Sequence, residues 1–304
     1  MGVLALAILW DLGLGEPRYL HPVRGVGWVI AQLEKLAPRS GRAWPLAYGL
    51  AMALLVPGGV ALGSYFLARG LLVLGAIAYL AVEAFLLKSS FAFRELHTAA
   101  RKVERSLEAG RMEEARQEVK ALVSRDTRGL PPELVASATV ESVAENTTDS
   151  FVAPWLAFAI FGLPGALAYR AVNTLDSMVG YHGRYEHLGK AAARLDDLVN
   201  FLPARLSALL LVLAALFRGR DARGAWWRMR QEHGRTESPN AGWTMSAMAG
   251  AVGVGLEKVG HYRLGDPGRP PGPTHIRESL ALASWVAGLV LVLTLGIMAL
   301  RYAT

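Results

Sequence analysis

Three carboxylates recur at four-residue intervals in Glu141-Ser-Val-Ala-Glu145-Asn146-Thr-Thr-Asp149. On a continuing helix that spacing places them on one face, where like charges repel. No Lys or Arg interleaves on that face, so the arrangement costs stability unless a cation or a cationic substrate compensates it. Mg2+ carrying phosphate oxygens is the usual partner. The plainer alternative is an exposed acidic helix end, with Asp149 capping the apolar segment that follows. Further polar groups stand in Asn173-Thr-Leu-Asp176, in Arg194-Leu-Asp196-Asp197-Leu-Val-Asn200, and in Arg205 shortly after. Adjacent Asp196 and Asp197 cannot share a helical face, so one would bind metal while the other caps a helix or pairs with Arg194 or Arg205. His21-Pro-Val-Arg24 and Ser238-Pro-Asn240-Ala-Gly add polar side chains beside turn-forming residues, where each alone is more often a cap or turn than a ligand. The chain has no cysteine, so thiolate nucleophiles and thiolate metal ligands are excluded. No Gly-Lys-Ser/Thr phosphate loop, His-Glu-x-x-His pair or nucleophile elbow occurs either. What remains suits Mg2+-phosphate chemistry or a polar, anionic substrate.

The elements that must position these groups are apolar. Hydrophobic residues make up 53% of the 304-residue chain and charged residues only 19%, and the apolar ones gather into segments near membrane-spanning length. Leu46 to Ala68 and Gly70 to Leu87, parted at Arg69, predict a transmembrane hairpin. Leu280 to Leu300 predicts a C-terminal span. Phe151 to Val172 and Phe201 to Phe217 are weaker segments. Met1 to Leu14 is a short apolar start interrupted by Asp11, without a signal peptide's basic front. Residues 91–124 show helical periodicity on both sides of Gly110, which predicts an amphipathic helical hairpin inserted into an otherwise single membrane domain over residues 1–304. The fold class expected is therefore all-α: a polytopic helical membrane protein with a cytoplasmic helical hairpin.

Charge supplies an orientation. Residues 16–45 and 88–150 together hold fifteen Lys or Arg, and residues 218–279 hold ten, so all three regions are expected in the cytoplasm. The two weaker segments must then both cross or both fail to cross. The first of them is interrupted by Gly162-Leu-Pro-Gly165 after eleven residues, about 16 Å of helix or half a bilayer, which points to a broken or re-entrant helix or a Pro kink. Irregular backbone at that depth is tolerated where protein or a water-filled cavity covers it, so a break marks a site. The net charge of +7 is spread over membrane-flanking loops, where it sets topology, and nucleic acid is not expected as a partner.

Five motifs resemble the adenosylcobinamide-phosphate synthases of cobalamin biosynthesis and occur in that family's order. They are Asp11-Leu-Gly-Leu-Gly-Glu-Pro-Arg18 with His21-Pro-Val-Arg24, Glu141 to Asp149, Tyr169-Arg-Ala-Val-Asn-Thr-Leu-Asp-Ser-Met178, Arg194-Leu-Asp-Asp197 with Pro203-Ala-Arg205, and Ser238 to Gly242. The resemblance implies a multi-pass cell-membrane ligase. It would join adenosylcobyric acid to aminopropanol or its O-phosphate, with ATP as co-substrate, at a site facing the cytoplasm. On that reading Glu141, Glu145, Asp149 and Asp176 are catalytic, and Glu145, Asp149, Asp176, Asp196 and Asp197 hold Mg2+. His21, Arg24, Asn146, Arg170, Asn173, Arg194, Asn200, Arg205 and Asn240 would bind the corrinoid and amino-alcohol substrates. The guanidinium groups suit phosphate and the amides suit the corrinoid's amide rim. The lipid bilayer and other cobalamin-pathway enzymes are the expected partners. The competing readings are a membrane Mg2+-dependent phosphotransferase, whose Asp-Gly…Ala-Arg…Gly…Asp…Asp run is missing, and a transporter or sensor, for which no internal repeat is found.

Overall fold

The computed structural model describes residues 1–16, 21–73, 75–181, 183 and 185–303. The chain is an all-α polytopic membrane protein. Five helical stretches are long and apolar enough to cross a membrane: Ala43–Val73, Ala76–Glu108, Pro132–Val179, Lys190–Phe217 and Pro273–Arg301. The departure from helix among the described residues is a two-stranded antiparallel hairpin, β1 (Gly255–Lys258) with β2 (Tyr262–Gly265), paired Gly255 to Gly265 and Lys258 to Tyr262.

The helices fall into two compact units. The first holds α1 (Gly2–Leu14), α2 (Pro22–Leu36), α3 (Ala43–Val73), α4 (Ala76–Lys88), α8 (Ala153–Val179) and residues 190–199 of α9 (Lys190–Phe217). Its core gathers Ile30 of α2, Met52, Ala53 and Val56 of α3, and Leu175 and Val179 of α8 around Leu188. Gly49 of α3 permits this packing, because a Cβ there would lie 1.9 Å from the Leu188 carbonyl oxygen.

The transmembrane hairpin does not turn at Arg69. The α3 helix runs on to Val73, with the Arg69 guanidinium 5.4 Å over the Tyr65 ring, and Gly75 at φ 98° precedes α4. A single arginine with a long flexible stem can lie along a helix and leave it intact. A left-handed glycine cannot continue one. The break in α8, by contrast, lies where the Gly-Leu-Pro-Gly sequence put it: Gly162 takes φ 70° and ψ −162°, and Pro164 has no amide hydrogen for the ladder.

The second unit holds α5 (Phe93–Glu108), α6 (Met112–Val119), α7 (Pro132–Thr147), a π turn at Thr148–Val152, the rest of α9, α10 (Ala222–Glu232), α11 (Ala241–Val252), the β hairpin and residues 273–293 of α12 (Pro273–Ala303). The α5 and α6 helices are separated at Gly110, which takes φ 68°. Asp221 caps α10 by accepting from Gly224 N at 2.7 Å, and Gly253 closes α11 in the left-handed conformation. The α10 and α11 helices cross at a pair of glycines: a Cβ on Gly250 would lie 2.4 Å from the Gly224 carbonyl oxygen.

Candidate functional site

The carboxylate helix α7 does not present its three acids alike. Glu141 is buried and compensated within its own unit. Its Oε1 accepts from Ser137 Oγ at 2.7 Å, and its Oε2 accepts from Tyr262 OH at 3.0 Å and Arg125 Nη2 at 3.3 Å. Ser137 Oγ in turn accepts from the Glu257 amide at 2.7 Å, which ties α7 to β1. At Glu141 the compensating charge is Arg125, from a loop rather than from the helix itself. Glu145 is exposed and Asp149 half-buried.

Asp149 lies in the π turn, which lengthens the local period and turns it away from the alignment expected of a continuous α-helix. Asn146 braces this irregularity. Its Nδ2 donates to Ser142 O at 3.0 Å and Ser142 Oγ at 3.1 Å, while its Oδ1 accepts from Ser150 Oγ at 3.0 Å. Burial raises the pKa of Tyr262 above the usual phenol range, and the charges of Glu141 and Glu145 push it the same way. Tyr262 therefore remains a neutral donor to Glu141, and the Glu145 charge is felt at this hydroxyl.

In the same unit Arg205 and Asn240 meet. Arg205 Nη1 donates to Asn240 Oδ1 at 3.0 Å and to Phe201 O at 2.6 Å, with its guanidinium 3.6 Å over the Phe201 ring and 4.9 Å over Trp243. Ser238 Oγ accepts from Asn240 N at 3.2 Å, which shapes the turn into α11. Asn200 is buried.

In the first unit, Arg170, Asn173 and Asp176 follow one another along α8 at three-residue steps. Arg170 Nη1 donates to Asn173 Oδ1 at 3.3 Å. Its Nε is buried and has no hydrogen-bond partner among the described residues, a donor open to an anion. Asp176 stands where only glycine fits beside it, since a Cβ on Gly180 would lie 2.0 Å from Asp176 Oδ1. Arg194 is exposed and 3.9 Å from Asp197, and Asp196 is half-buried. Arg24 is exposed on α2.

His21 has both ring nitrogens engaged. Nδ1 accepts from Val23 N at 3.2 Å and so caps α2, and Nε2 faces Glu16 Oε2 at 2.6 Å. Burial raises the pKa of Glu16, but hydrogen bonds from His21 and Lys88 outweigh it and leave the carboxyl below its usual range. Arg18, between these residues in sequence, lies outside the described residues.

A buried charge cluster went unrecognised in the sequence. Lys88 is fully buried, with Nζ 2.6 Å from Glu16 Oε1, 3.0 Å from Asp11 Oδ1 and 3.3 Å from Phe91 O. An aspartate inside an apolar run and a lysine closing another were the available signals, since ionisable groups at membrane depth find partners. Arg125 and Tyr262 carried no such signal.

The donor set can be tested against Mg2+. Within either unit, no three His, Asp or Glu side chains among the described residues converge at ligand distance, so an all-protein cage is not built. Mg2+ does not require one, because it is commonly held by one or two carboxylates with substrate phosphates and water completing the octahedron. Exposed Glu145 at the end of α7 and half-buried Asp149 in the π turn that follows are carboxylates of the kind that mode uses.

The sequence matches the family model described as CobD/Cbib protein over residues 4–283. The chain belongs to the CobD/CbiB family of cobalamin biosynthesis proteins. It is 44% identical over 296 residues to the cobalamin biosynthesis protein CobD of Dehalococcoides mccartyi, covering 97% of this chain and 96% of that one. Identity to the CobD of Geobacter metallireducens is 42% over 290 residues, with 92% and 91% covered. To the probable CobD of Methanocaldococcus jannaschii it is 37% over 271 residues, with 86% and 87% covered. No solved structure matches the chain. The CobD/CbiB match takes in every motif that suggested the family, from Asp11 to Gly242.

Proposed function

We propose that this protein forms the amide bond between a propionate carboxylate of adenosylcobyric acid and the amine of (R)-1-aminopropan-2-ol or its O-phosphate, driven by ATP, at a site facing the cytoplasm. The observation that carries the reading is CobD/CbiB membership over nearly the whole chain, together with motifs rich in carboxylate, amide and guanidinium groups. A carboxylate and an ammonium do not condense unaided at neutral pH. ATP must first activate a carboxylate oxygen; by the acyl-phosphate route that oxygen takes the γ-phosphoryl group and ADP leaves, and the amine then attacks the acyl carbon, loses a proton and expels inorganic phosphate.

Each residue's environment supports a role. Mg2+ held by Glu145 and Asp149 would supply charge neutralisation for the phosphates. The open Nε of Arg170 would hold a phosphate or carboxylate oxygen. Asp176 would take the proton that the attacking ammonium must lose. Glu141, already bonded to Arg125, Tyr262 and Ser137, would act by fixing α7 so that Glu145 and Asp149 face substrate.

The test is incubation of the purified protein with adenosylcobyric acid, ATP, Mg2+ and either amine, following corrinoid mass and nucleotide hydrolysis. A new corrinoid heavier by the condensed amine is expected with one of them. No new corrinoid with either would overturn the assignment.

A further inference from the structure

A pocket of about 700 Å³ opens between α10 and α11 in the second unit, well within the ~300–1,000 Å³ of ordinary small-molecule sites. Its lining includes Arg223, Trp226, Trp227, Asp221, Asp266 and Arg269. Resting on the ATP-driven reading above, we infer that this pocket binds the nucleotide, with indole rings for the base and guanidinium groups for the phosphates.

The floor is the glycine crossing of the two helices, where Gly224 and Gly250 bring backbone to backbone and leave the space above without side chains. Beside it, Gly253 turns the chain left-handed out of α11, and the Arg269 guanidinium stands 4.0 Å from where a Cβ would be. The charges are not equally committed. Arg228 is held by buried Glu232 at 2.6 Å, and Asp221 by its cap on α10. Arg223 is exposed and has no hydrogen-bond or ion-pair partner among the described residues. Arg269, largely exposed, lies 3.6 Å from half-exposed Asp266, whose Oδ1 also accepts from Gly268 N at 3.0 Å, and phosphate can displace the pair from the arginine side. Released, Asp266 is an acceptor for ribose hydroxyls or an exocyclic amine.

Trp226 and Trp227 are 43% and 51% exposed at the lip, with the Arg230 guanidinium 5.7 Å over the first ring and that of Arg228 5.2 Å over the second. Base stacking on an aromatic ring needs no sequence motif, which accords with a chain that lacks a glycine-lysine phosphate loop. An anionic phospholipid headgroup would meet the same guanidinium groups, but it has no planar group for the indoles.

The experiment uses the full chain in zwitterionic lipid nanodiscs, with 8-azido-ATP cross-linking followed by peptide mapping, and ATP titrations read by tryptophan fluorescence. Cross-links are expected in residues 221–228 or 266–269. Arg223→Ala and Arg269→Ala should each raise the ATP Kd by about tenfold, the loss of one charge-assisted contact. Trp227→Phe should bind nearly as wild type and Trp227→Leu more weakly. Cross-links confined to other segments, or an unchanged Kd in both arginine variants, overturns the pocket. So does a parallel titration with anionic lipid in which these variants lose lipid retention but keep ATP affinity. Product formation with the nucleotide labelled elsewhere sinks this inference alone. ATP captured here by a protein that makes no corrinoid product sinks the ligase reading alone.

Discussion

Replacing Lys88 with methionine keeps the length of the side chain and removes only the charge and its three donors. In the native protein the ammonium donates hydrogen bonds to Glu16 and the Phe91 carbonyl and pairs with Asp11 at 3.0 Å, fully buried beside an Asp11 side chain 2% exposed. Removing one partner of a buried ion pair costs ~3–5 kcal/mol, because the remaining charge is left without compensation. Glu16 suffers less, since its side chain is 26% exposed and keeps His21. Most of the loss therefore belongs to Asp11. For a chain of this size roughly 2–4 °C is lost per kcal/mol, so Lys88→Met should lower the thermal midpoint in detergent by about 10 °C.

The second variant makes the reasoning refutable. Lys88→Met with Asp11→Asn removes both charges and should recover at least about half of the single variant's loss, a coupling well above 1 kcal/mol in a double-mutant cycle. Intrinsic tryptophan fluorescence reads the midpoints of wild type, Lys88→Met, Asp11→Asn and the double variant. A double variant as unstable as the sum of the two singles would show that Lys88 and Asp11 are not coupled, and the buried cluster would lose its structural meaning.

Three other outcomes follow from the same geometry. Glu16 has its folded pKa depressed, so its contribution to stability is present above its unfolded value near 4.5 and is lost as pH falls through the folded value; wild type should lose its advantage over Glu16→Gln between about pH 5 and pH 3 in midpoint measurements, and an advantage independent of pH would contradict the ion pairing. Gly250→Ala puts a methyl 2.4 Å from a backbone oxygen that cannot swing aside, and should cost about 1–3 kcal/mol in denaturant unfolding, against near-zero cost if the helices separate freely. Asp149→Asn and Asp176→Asn should each abolish amide formation while membrane insertion, read by fractionation and protease protection, stays intact; full activity in either variant removes that residue from the site.

What could be read from the sequence was what short stretches encode. The break at Gly162 was legible because glycine, proline and glycine within four residues remove both a helical conformation and a donor. The all-α membrane architecture was legible because apolar run length is a direct measure of what can cross a bilayer. The fate of Glu141 was not, because its partners lie 16 and 121 residues away in sequence and an unpaired acidic face is what local reading must assume. The Lys88 cluster was hidden for the same reason, its carboxylate partner Glu16 being 72 residues distant. The π turn at Thr148–Val152 left no trace in a spacing argument that presumes one helical period throughout.

These contacts divide the motif residues by what their side chains are already doing. Asn146 spans the π turn with contacts four residues in each direction, and His21 spends both nitrogens on the entry to α2. Arg205 and Asn240 hold one another at the start of α11. Such residues reach chemistry through the backbone they fix, whereas Glu145 is exposed and Arg170 keeps a buried donor open. The two kinds separate by a stability measurement. Asn146→Ala leaves Ser142 and Ser150 without their partner, so it should cost about 1–3 kcal/mol of stability and lower activity in proportion to the misfolded fraction. Glu145→Gln keeps the shape of an exposed side chain, so it should cost less stability than Asn146→Ala and still remove turnover. If Asn146→Ala abolished turnover with unchanged stability, the amide would be contacting substrate in preference to its two serines, and the division would have to be redrawn with Asn146 beside Glu145.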